Sequence, residues 1–410
     1  MFWIIYIVCL LMDLYVYQPV KTLLRGRSPV VGRWVKVLYW SLPVALFLIS
    51  NIYTRVEDWH TARYMRYAII GLVSVNYIPK IFIVVFLLLH DALKVFQWTV
   101  KTIAQPKEPI STKNMITRGE FISKVALISS TAPLGLMAYG VLKGAYDYRV
   151  VRKTIYSKDL PKAFDGITLA QISDIHTGSL TSMTSVKGGI EMLLNEKPDI
   201  ITFTGDIVNN KSNELEGFTN VFDKLRAPLG VYSVTGNHDY GDYSRWKDPA
   251  DKQKNFEDLI AAQKQMGYDL LMNENRTIEV DGEKISIIGI ENWGAGRFQK
   301  YGKLDEAYKG SEESPFKVLL SHDPSHWDAQ VKDMYPDINL MLAGHTHGFQ
   351  FGVEVGDFKW SPSQYIYKQW AGHYQDGEQQ LYVNRGFGFI GFPGRVGIPP
   401  ELTVLTLKKA

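Results

Sequence analysis

Five groups of metal-binding or proton-transferring side chains follow short hydrophobic runs in the second half of the chain. Aspartate, asparagine and histidine recur in them at close spacing, and five of the seven histidines after residue 150 belong to them. Core packing does not predict such a concentration. The groups are Asp174-Ile175-His176, Gly205-Asp206, Gly236-Asn237-His238-Asp239, His322 and Gly344-His345-Thr346-His347.

The donor types indicate a transition-metal site. Carboxylate oxygens combined with imidazole nitrogens suit manganese, iron or zinc better than calcium or magnesium, whose sites are nearly all oxygen. A glycine precedes Asp206, Asn237 and His345, which lets the backbone turn sharply there. A central aspartate can bridge two cations, and two cations about 3.5–4 Å apart can clamp a phosphoryl group and activate water. We therefore expect two divalent ions, manganese first, with iron or zinc as alternatives.

The elements that must position these groups are strands alternating with helices, which predicts an α/β layered fold with several buried strands. Ligand sites in such folds lie at the carboxyl ends of the strands, which is where the five groups stand. The expected strands are 167–173, 200–204, 231–235, 285–290, 317–321, 339–343, 381–384 and 402–407. The expected helices are 183–196, 213–226, 253–266 and 324–334.

The first 145 residues predict a membrane unit. Four apolar stretches are long enough to cross a bilayer as helices, and the alternative is buried core helices of a soluble domain. Asp13 and Lys80 lie midway along the first and third stretches, so a mutual ion pair is expected, with a proton or ion pathway as the alternative. The stretches are 2–20, 34–53, 67–89 and 121–141.

Charge divides the chain in the same place. Residues 1–150 hold 17 Lys/Arg against 7 Asp/Glu, whereas residues 151–410 hold 28 against 35. The acidic second part argues against a nuclease, which needs a basic groove, and no nucleic-acid partner is expected. The only cysteine, Cys9, excludes an intrachain disulfide and any cysteine-based zinc site or nucleophile in the second part.

Basic residues concentrate in the first and third loops between the apolar stretches. The positive-inside rule therefore puts these loops in the cytoplasm and everything after the fourth stretch on the extracytoplasmic side of the inner or plasma membrane. The first loop carries Lys21, Arg25, Arg27, Arg33 and Lys36, and the third carries Lys94, Lys101, Lys107, Lys113 and Arg118.

The ordered motifs D-x-H, G-D, G-N-H-D, H and G-H-x-H resemble those of the calcineurin-like metallophosphoesterase superfamily. Residues 165–408 are similar to its membrane-associated bacterial branch. The resemblance implies a four-layer αββα sandwich that hydrolyses a phosphate ester or anhydride. The expected organisation is a four-helix transmembrane unit (1–145), a juxtamembrane connector (146–164) and the phosphoesterase domain (165–410).

The resemblance also implies roles for individual residues. One metal would be held by Asp174, His176, Asp206 and His347, and the other by Asp206, Asn237, His322 and His345. His238, paired with Asp239, would stabilise or protonate the leaving oxygen.

Three further residues are candidates for substrate binding. Asn209 stands where many members of the superfamily have a second aspartate, so it is expected to support the site or contact substrate. Arg385 and Arg395 could bind a phosphate bidentately. Alternatively, both arginines satisfy loop carbonyls.

Anchoring predicts a substrate in or near the membrane, so the expected partners are the phospholipid bilayer and a phosphorylated lipid or small molecule. Two alternatives remain open. One is a pyrophosphohydrolase with a cytoplasmic site that acts on a nucleotide-linked lipid. The other is a non-catalytic, metal-binding membrane scaffold or channel-like protein. The oligomeric state is left open. The segment 291–298 is expected to form a lid or a packed surface loop.

Overall fold

The computed structural model describes residues 2–103, 118–356 and 358–410. The chain separates into two compact units, Met1–Val141 and Leu142–Ala410.

The membrane unit is helical. Four stretches are long and apolar enough to cross a bilayer: Ile4–Leu23, Pro29–Tyr53, Thr61–Val100 and Phe121–Leu142. The four predicted apolar stretches are therefore present as helical segments. The helices themselves are α1 (Phe2–Leu23), α2 (Pro29–Tyr53), α3 (Trp59–Ile103), α4 (Arg118–Ser129) and α5 (Thr131–Leu142).

Two helices differ from the sequence expectation. The fourth stretch divides into α4 and α5 at Ser130, because Pro133 has no N–H to donate to the carbonyl of Ser129. Helix α3 has 45 residues, about 68 Å at 1.5 Å per residue, which exceeds the bilayer core of about 30 Å. Lys94 and Lys101, expected in a loop, belong to α3. Lys107 and Lys113 lie outside the described residues.

The two charges inside the helices compensate each other. Lys80 Nζ lies 2.6 Å from Asp13 Oδ1, and the hydroxyl of Tyr77 donates to Asp13 Oδ2 at 2.9 Å. The Lys80 ammonium also lies over the rings of Tyr39 and Tyr77. Both charged side chains are buried, so each would be costly alone. The predicted ion pair is confirmed, and its surroundings are those of a structural pair.

The second unit contains two six-stranded sheets. The first is formed by β1 (Arg149–Ser157), β2 (Thr168–Ile172), β3 (Ile200–Thr204), β4 (Val231–Val234), β5 (Asp269–Leu270) and β14 (Glu401–Lys409). The second is formed by β6 (Glu274–Val280), β7 (Glu283–Gly289), β8 (Lys317–Leu320), β9 (Leu340–Ala343), β12 (Gly372–Asp376) and β13 (Gln379–Val383). Their orders are β1-β14-β2-β3-β4-β5 and β12-β13-β9-β8-β7-β6.

The remaining elements lie between these strands. The helices of the second unit are α6 (Met183–Leu194), α7 (Thr219–Phe222), α8 (Pro249–Gln265), α9 (Leu304–Tyr308) and α10 (Lys332–Met334). A separate antiparallel hairpin consists of β10 (Val353–Val355) and β11 (Phe358–Trp360).

The main core lies between the two sheets. Leu169 and Ile200 from the first sheet share a fully buried cluster with Val318 and Leu340 from the second. A separate cluster on the other face of the second sheet includes Met341 together with Leu319 of β8 and Trp327 outside the sheet. Strands covered on both faces read as continuous hydrophobic runs, which is why they were recognisable in the sequence. The predicted layered α/β sandwich is confirmed.

Strand β1 differs from the expected organisation. Residues 149–157 were expected in the connector, but they pair in parallel with 401–409 and form an edge of the first sheet. The run contains three basic residues, and most of its side chains are partly or fully exposed. Edge strands of this kind carry charges and lack a hydrophobic signature.

Candidate metal centre

The two sheets meet at the edge formed by their strand ends. Strands β2, β3 and β4 are parallel neighbours, and so are β8 and β9. Two hydrogen bonds join the sheets here: the backbone N–H of His345 donates to the Asp174 carboxylate at 3.0 Å, and His322 Nδ1 donates to the Thr204 carbonyl at 2.7 Å. The ends of four strands, β2, β3, β8 and β9, are thereby held against one another.

The first group of candidate ligands comprises Asp174, His176 and His347. His347 Nε2 lies 3.2 Å from Asp174 Oδ1 and 3.1 Å from His176 Nε2. All three residues are buried, and one ligand atom from each falls within 4.8 Å of the others. This spacing suits a single cation.

The second group comprises Asp206, His322 and His345. His322 Nε2 lies 3.1 Å from Asp206 Oδ2 and 3.2 Å from His345 Nδ1. The same Asp206 oxygen is 3.6 Å from His176 Nε2, which belongs to the first group. The Asp206 carboxylate therefore lies between the two groups, where a shared ligand would stand.

Asn237 offers a further test of whether the site fits a metal. Its Nδ2 donates to the hydroxyl of Tyr243 at 2.9 Å, but its buried Oδ1 has no hydrogen-bond partner among the residues that the structure describes. A buried oxygen left unsatisfied costs about 1–3 kcal/mol. An amide oxygen beside carboxylates and imidazoles completes a donor set typical of divalent transition metals. The residues present fit such ions.

The backbone of the ligand loops is strained. Five of the six residues in the two groups adopt left-handed conformations, which cost non-glycine residues about 1–3 kcal/mol each. The φ angles are 52° at Asp174, 49° at His176, 60° at Asp206, 70° at His345 and 50° at His347. Strain at five of the six candidate ligands indicates that the loops are shaped for function, a feature that sequence reasoning did not foresee.

The three glycines that precede ligands have two different roles. Only Gly205 has a positive φ, of 94°, so the expected sharp turn applies to that residue alone. A Cβ on Gly236 would collide with Asp206 Oδ1, and one on Gly344 would collide with the Ser173 hydroxyl and the Asp174 carboxylate. These two positions need glycine because neighbouring loops approach closely.

Opposite charges stabilise one another within the site. Burial opposes ionisation of Asp174, but His347 and His322 outweigh it and hold its pKa below the ordinary value. Burial would also raise the pKa of Asp206, but this pKa is held below its ordinary value, chiefly by His322. Burial would lower the pKa of His322, yet the two carboxylates raise it to about 10. Burial lowers the pKa of His176 to about 3. The carboxylates and His176 are thus already deprotonated at neutral pH, whereas His322 would release a proton on binding a cation.

Asp239 does not form the expected pair with His238. Its carboxylate accepts backbone N–H groups from Asp206 and Ile207, both at 2.9 Å, and from Gly236 at 2.8 Å. Burial, with the nearby Asp206 charge, raises the pKa of Asp239 to about 7. The assignment of Asp239 as a catalytic partner is therefore corrected: it fixes the turn that carries Asp206.

His238 is oriented by other groups. Its Nδ1 donates to the carbonyl of Asn209 at 2.7 Å, and its backbone N–H donates to Asp206 Oδ1 at 2.8 Å. The ring is half-buried, and Nε2 remains available to a bound molecule. Asn209 thus contributes its backbone carbonyl, while its side-chain Nδ2 donates to Ser179 at 3.0 Å. This pairing makes Asn209 a supporting residue and does not favour the substrate contact considered for it.

Arg395 is buried behind the first group. Its Nη2 donates to the carbonyls of Gly388 at 2.6 Å and Arg385 at 2.8 Å, and lies 3.2 Å from His347 Nδ1. Only 1% of its surface is exposed. The alternative reading, in which the arginine satisfies loop carbonyls, describes Arg395, and its assignment to substrate binding is corrected.

Arg385 is also fully engaged within the protein. Its guanidinium pairs with Glu354 at 2.6 Å and with the buried carboxylate of Glu401. Both ion pairs are largely shielded from solvent, which strengthens them. A substrate phosphate would have to displace them, so Arg385 too is corrected to a structural role.

Aromatic side chains that sequence reasoning missed surround the mouth of the site. The Tyr367 hydroxyl lies 2.8 Å from His345 Nε2, and the Phe298 ring meets His345 edge to face at 5.0 Å. The Tyr243 ring packs on His238 with centroids 4.7 Å apart. Phe298 falls in the segment considered as a lid, but Tyr367 has no motif or spacing that could have marked it.

Two family models match this chain. A family model described as "Calcineurin-like phosphoesterase" matches residues 167–349. A second, "Probable Calcineurin-like phosphoesterase, transmembrane domain", matches residues 1–145.

Relatives of known sequence include bacterial and animal proteins. The chain is 32% identical over 289 residues to the uncharacterized metallophosphoesterase YkuE of Bacillus subtilis, covering 67% of this chain and 94% of the relative. It is 30% identical over 309 residues to a transmembrane protein with metallophosphoesterase domain of Danio rerio, covering 73% and 66% respectively. Among solved structures, the NAD nucleotidase of Haemophilus influenzae aligns with a TM-score of 0.36 and 16% identity, covering 54% of this chain and 45% of that one.

Proposed function

The chain belongs to the calcineurin-like phosphoesterases, and from that premise we propose that it hydrolyses a phosphate ester or anhydride of a membrane-associated substrate at two divalent metal ions. The observation that carries the proposal is the position of Asp206. Its Oδ2 lies 3.1 Å from His322 Nε2 and 3.6 Å from His176 Nε2, between the two groups. A carboxylate there can serve two cations at once.

We assign four ligands to each ion. Asp206 is common to both, and the unpartnered oxygen of Asn237 supports its inclusion. When bound, the ions would polarise the phosphoryl oxygens and lower the pKa of water beside them. The mixed nitrogen and oxygen donors favour manganese, with iron or zinc as alternatives. The first ion would bind Asp174, His176, Asp206 and His347, and the second Asp206, Asn237, His322 and His345.

His238 is the proposed proton donor to the leaving oxygen. The hydrogen bond from Nδ1 to the Asn209 carbonyl fixes the ring, so Nε2 is the atom that can exchange a proton with the substrate. Tyr243 packs on the ring and limits its rotation. Phe298 and Tyr367, which contact His345, would flank the substrate at the mouth.

The membrane unit supports a substrate at the bilayer, such as a phosphorylated lipid or a soluble phosphoester held near the surface. An enzyme anchored by four helices meets membrane-associated substrates at a raised local concentration, whereas it gains nothing for substrates in bulk solution.

Chelation followed by metal replacement tests the chemistry. We expect the purified full-length protein to lose nearly all turnover of a phosphoester panel after chelation and to regain it with manganese, because two ions supply the charge stabilisation. The panel would contain phospholipid, isoprenoid, nucleotide-sugar and generic phosphoesters. As a control for the proposed ligands, the Asn237→Ala protein should not regain full turnover when manganese is added back. Turnover that survives chelation would contradict the proposal, and a complete lack of turnover would favour the non-catalytic scaffold.

The side of the membrane distinguishes the main alternative. The basic residues between the first and second apolar stretches, together with those from Lys94 to Arg118 in the sequence, support an extracytoplasmic catalytic unit, whereas a pyrophosphohydrolase of nucleotide-linked lipids needs a cytoplasmic one. We expect alkaline phosphatase fused after Ala410 to be active. Green fluorescent protein fused at the same position should not fluoresce if the chain is exported by the general secretory route. The opposite pattern would reverse the orientation and favour the pyrophosphohydrolase.

A further inference from the structure

The β10–β11 hairpin presents its apolar face to the outside. Val355 stands opposite Phe358, and Glu354 stands opposite Lys359. Because side chains alternate along a strand, these two pairs lie on opposite faces. Val355 and Phe358 are 71% and 63% exposed. The charged pair, Glu354 and Lys359, is the one that contacts the rest of the second unit.

The inward direction of the charged pair is set by specific contacts. Glu354 accepts from the Arg385 guanidinium at 2.6 Å. Lys359 donates to the Ala371 carbonyl at 2.6 Å and lies over the Trp370 ring. A hairpin bathed in water would have the reverse polarity, with charges outside and apolar groups inside. The hairpin is therefore built to place hydrophobic side chains outward.

The exposed apolar area extends beyond the two strands. Large hydrophobic side chains cluster within residues 349–366, and Tyr365 and Ile366 are 75% and 68% exposed. So many large, exposed apolar side chains within one short segment are unusual on soluble proteins, where exposed apolar patches mark contact with another apolar phase or molecule. We call this set the hairpin surface: Phe349, Phe351, Val353, Val355, Phe358, Tyr365 and Ile366.

A chain of contacts connects the hairpin to the start of β1. Glu354 of β10 pairs with Arg385, and Arg385 pairs with Glu401. Glu401 lies directly beside Arg149, the first residue of β1. Only residues 143–148 separate Arg149 from the end of α5 at Leu142, and six residues span at most about 20 Å. The end of the second unit that carries the hairpin is thus the end at which the chain arrives from its last membrane helix.

We propose that the hairpin surface inserts into the interfacial region of the phospholipid bilayer that holds the helices. Aromatic and aliphatic side chains gain favourable free energy when they leave water at this depth. Tyrosine is enriched at the level of the lipid headgroups. The surface lies in sequence between His347 and Tyr367, so docking holds the mouth of the site near lipid headgroups; this last point rests on the proposed function.

Site-specific fluorescence in the full-length protein tests the insertion. In a Cys9→Ala background, Val355→Cys or Ile366→Cys is labelled with an environment-sensitive dye, and the protein is reconstituted into phosphatidylcholine–phosphatidylglycerol vesicles. We expect blue-shifted emission at both positions and loss of most of it when brominated lipids are included. Lys284→Cys, in an exposed pair with Glu279 on the β6–β7 hairpin, is the matched control and should show neither effect.

Each other outcome overturns the insertion. Emission at positions 355 and 366 that matches position 284 would mean that the hairpin surface stays in water. A blue shift that grows with protein density and ignores brominated lipid would assign the surface to a second copy of the chain. Unchanged thermal unfolding of the labelled proteins confirms that the fold is intact. Because the readout is not turnover, the result is independent of whether the phosphoesterase assignment holds.

Discussion

Replacing Asp206 by asparagine is expected to lower kcat by roughly a thousandfold or more, the scale at which loss of a preorganised electrostatic group acts. The substitution keeps the shape of the side chain but removes the charge that lies between His322 and His176. An amide can still accept the hydrogen bond that Oδ1 receives from the His238 N–H, so the turn should persist. The loss would therefore be electrostatic.

The measurement combines turnover with the number of metal ions bound per chain. We expect the Asp206→Asn protein to unfold at nearly the same temperature and to bind fewer than two ions. Asp258→Asn is the matched control, because Asp258 forms an exposed pair with Lys254 on helix α8, far in sequence from the candidate ligands. A mutant that retained both ions and near-normal turnover would remove the basis for a shared ligand.

Asp239→Asn is expected to destabilise the second unit by about 2–4 kcal/mol, because it leaves buried N–H groups without an acceptor. Both carboxylate oxygens of Asp239 accept backbone N–H groups, from Asp206, Ile207 and Gly236. An asparagine supplies one oxygen and turns its NH2 group toward the other donors. The Asp206 turn should move, with a further loss of turnover of about ten- to a hundredfold, the range seen for residues behind metal ligands.

Chemical unfolding and turnover of the same protein separate this role from a catalytic one. If Asp239 acted through His238, asparagine would change turnover and its pH profile while the free energy of unfolding stayed near that of the wild-type protein. Asp258→Asn again gives the baseline for removing one carboxylate. Unchanged stability would thus restore the pairing that the sequence suggested.

Much of the fold was predictable because its strands are buried on both faces. Runs such as 317–321 and 339–343 are continuously hydrophobic and correspond to β8 and β9, and all eight expected strands are present. Strand β1 was not predicted, because its position at the edge of the sheet leaves it charged and partly exposed. The hairpin strands β10 and β11 were not predicted, because three-residue strands are shorter than the run of about four to eight residues over which alternation reveals a strand.

The site was predictable to a different degree. Residue type and order grouped Asp174, His176 and His347 correctly as neighbours, because parallel strand ends share an edge. Sequence adjacency misled for His238 and Asp239, since neighbouring side chains in a turn point in different directions. The left-handed backbone at Asp174 or His345 leaves no trace in composition. It depends on contacts between loops that are distant in sequence.

The place of β14 in its sheet bears on how the protein is made. Residues 401–409 are synthesised long after β1 and insert between β1 and β2, so β1 has no neighbouring strand in this sheet until they have been made. Glu401 then forms an ion pair with Arg385, and the Thr403 hydroxyl oxygen accepts a hydrogen bond from the Asn384 amide. These contacts hold the loop behind the site. A nascent chain released before residue 401, or one clipped there, would carry its membrane helices but could not complete the sheet. The first sheet can therefore close only after β14 has been synthesised.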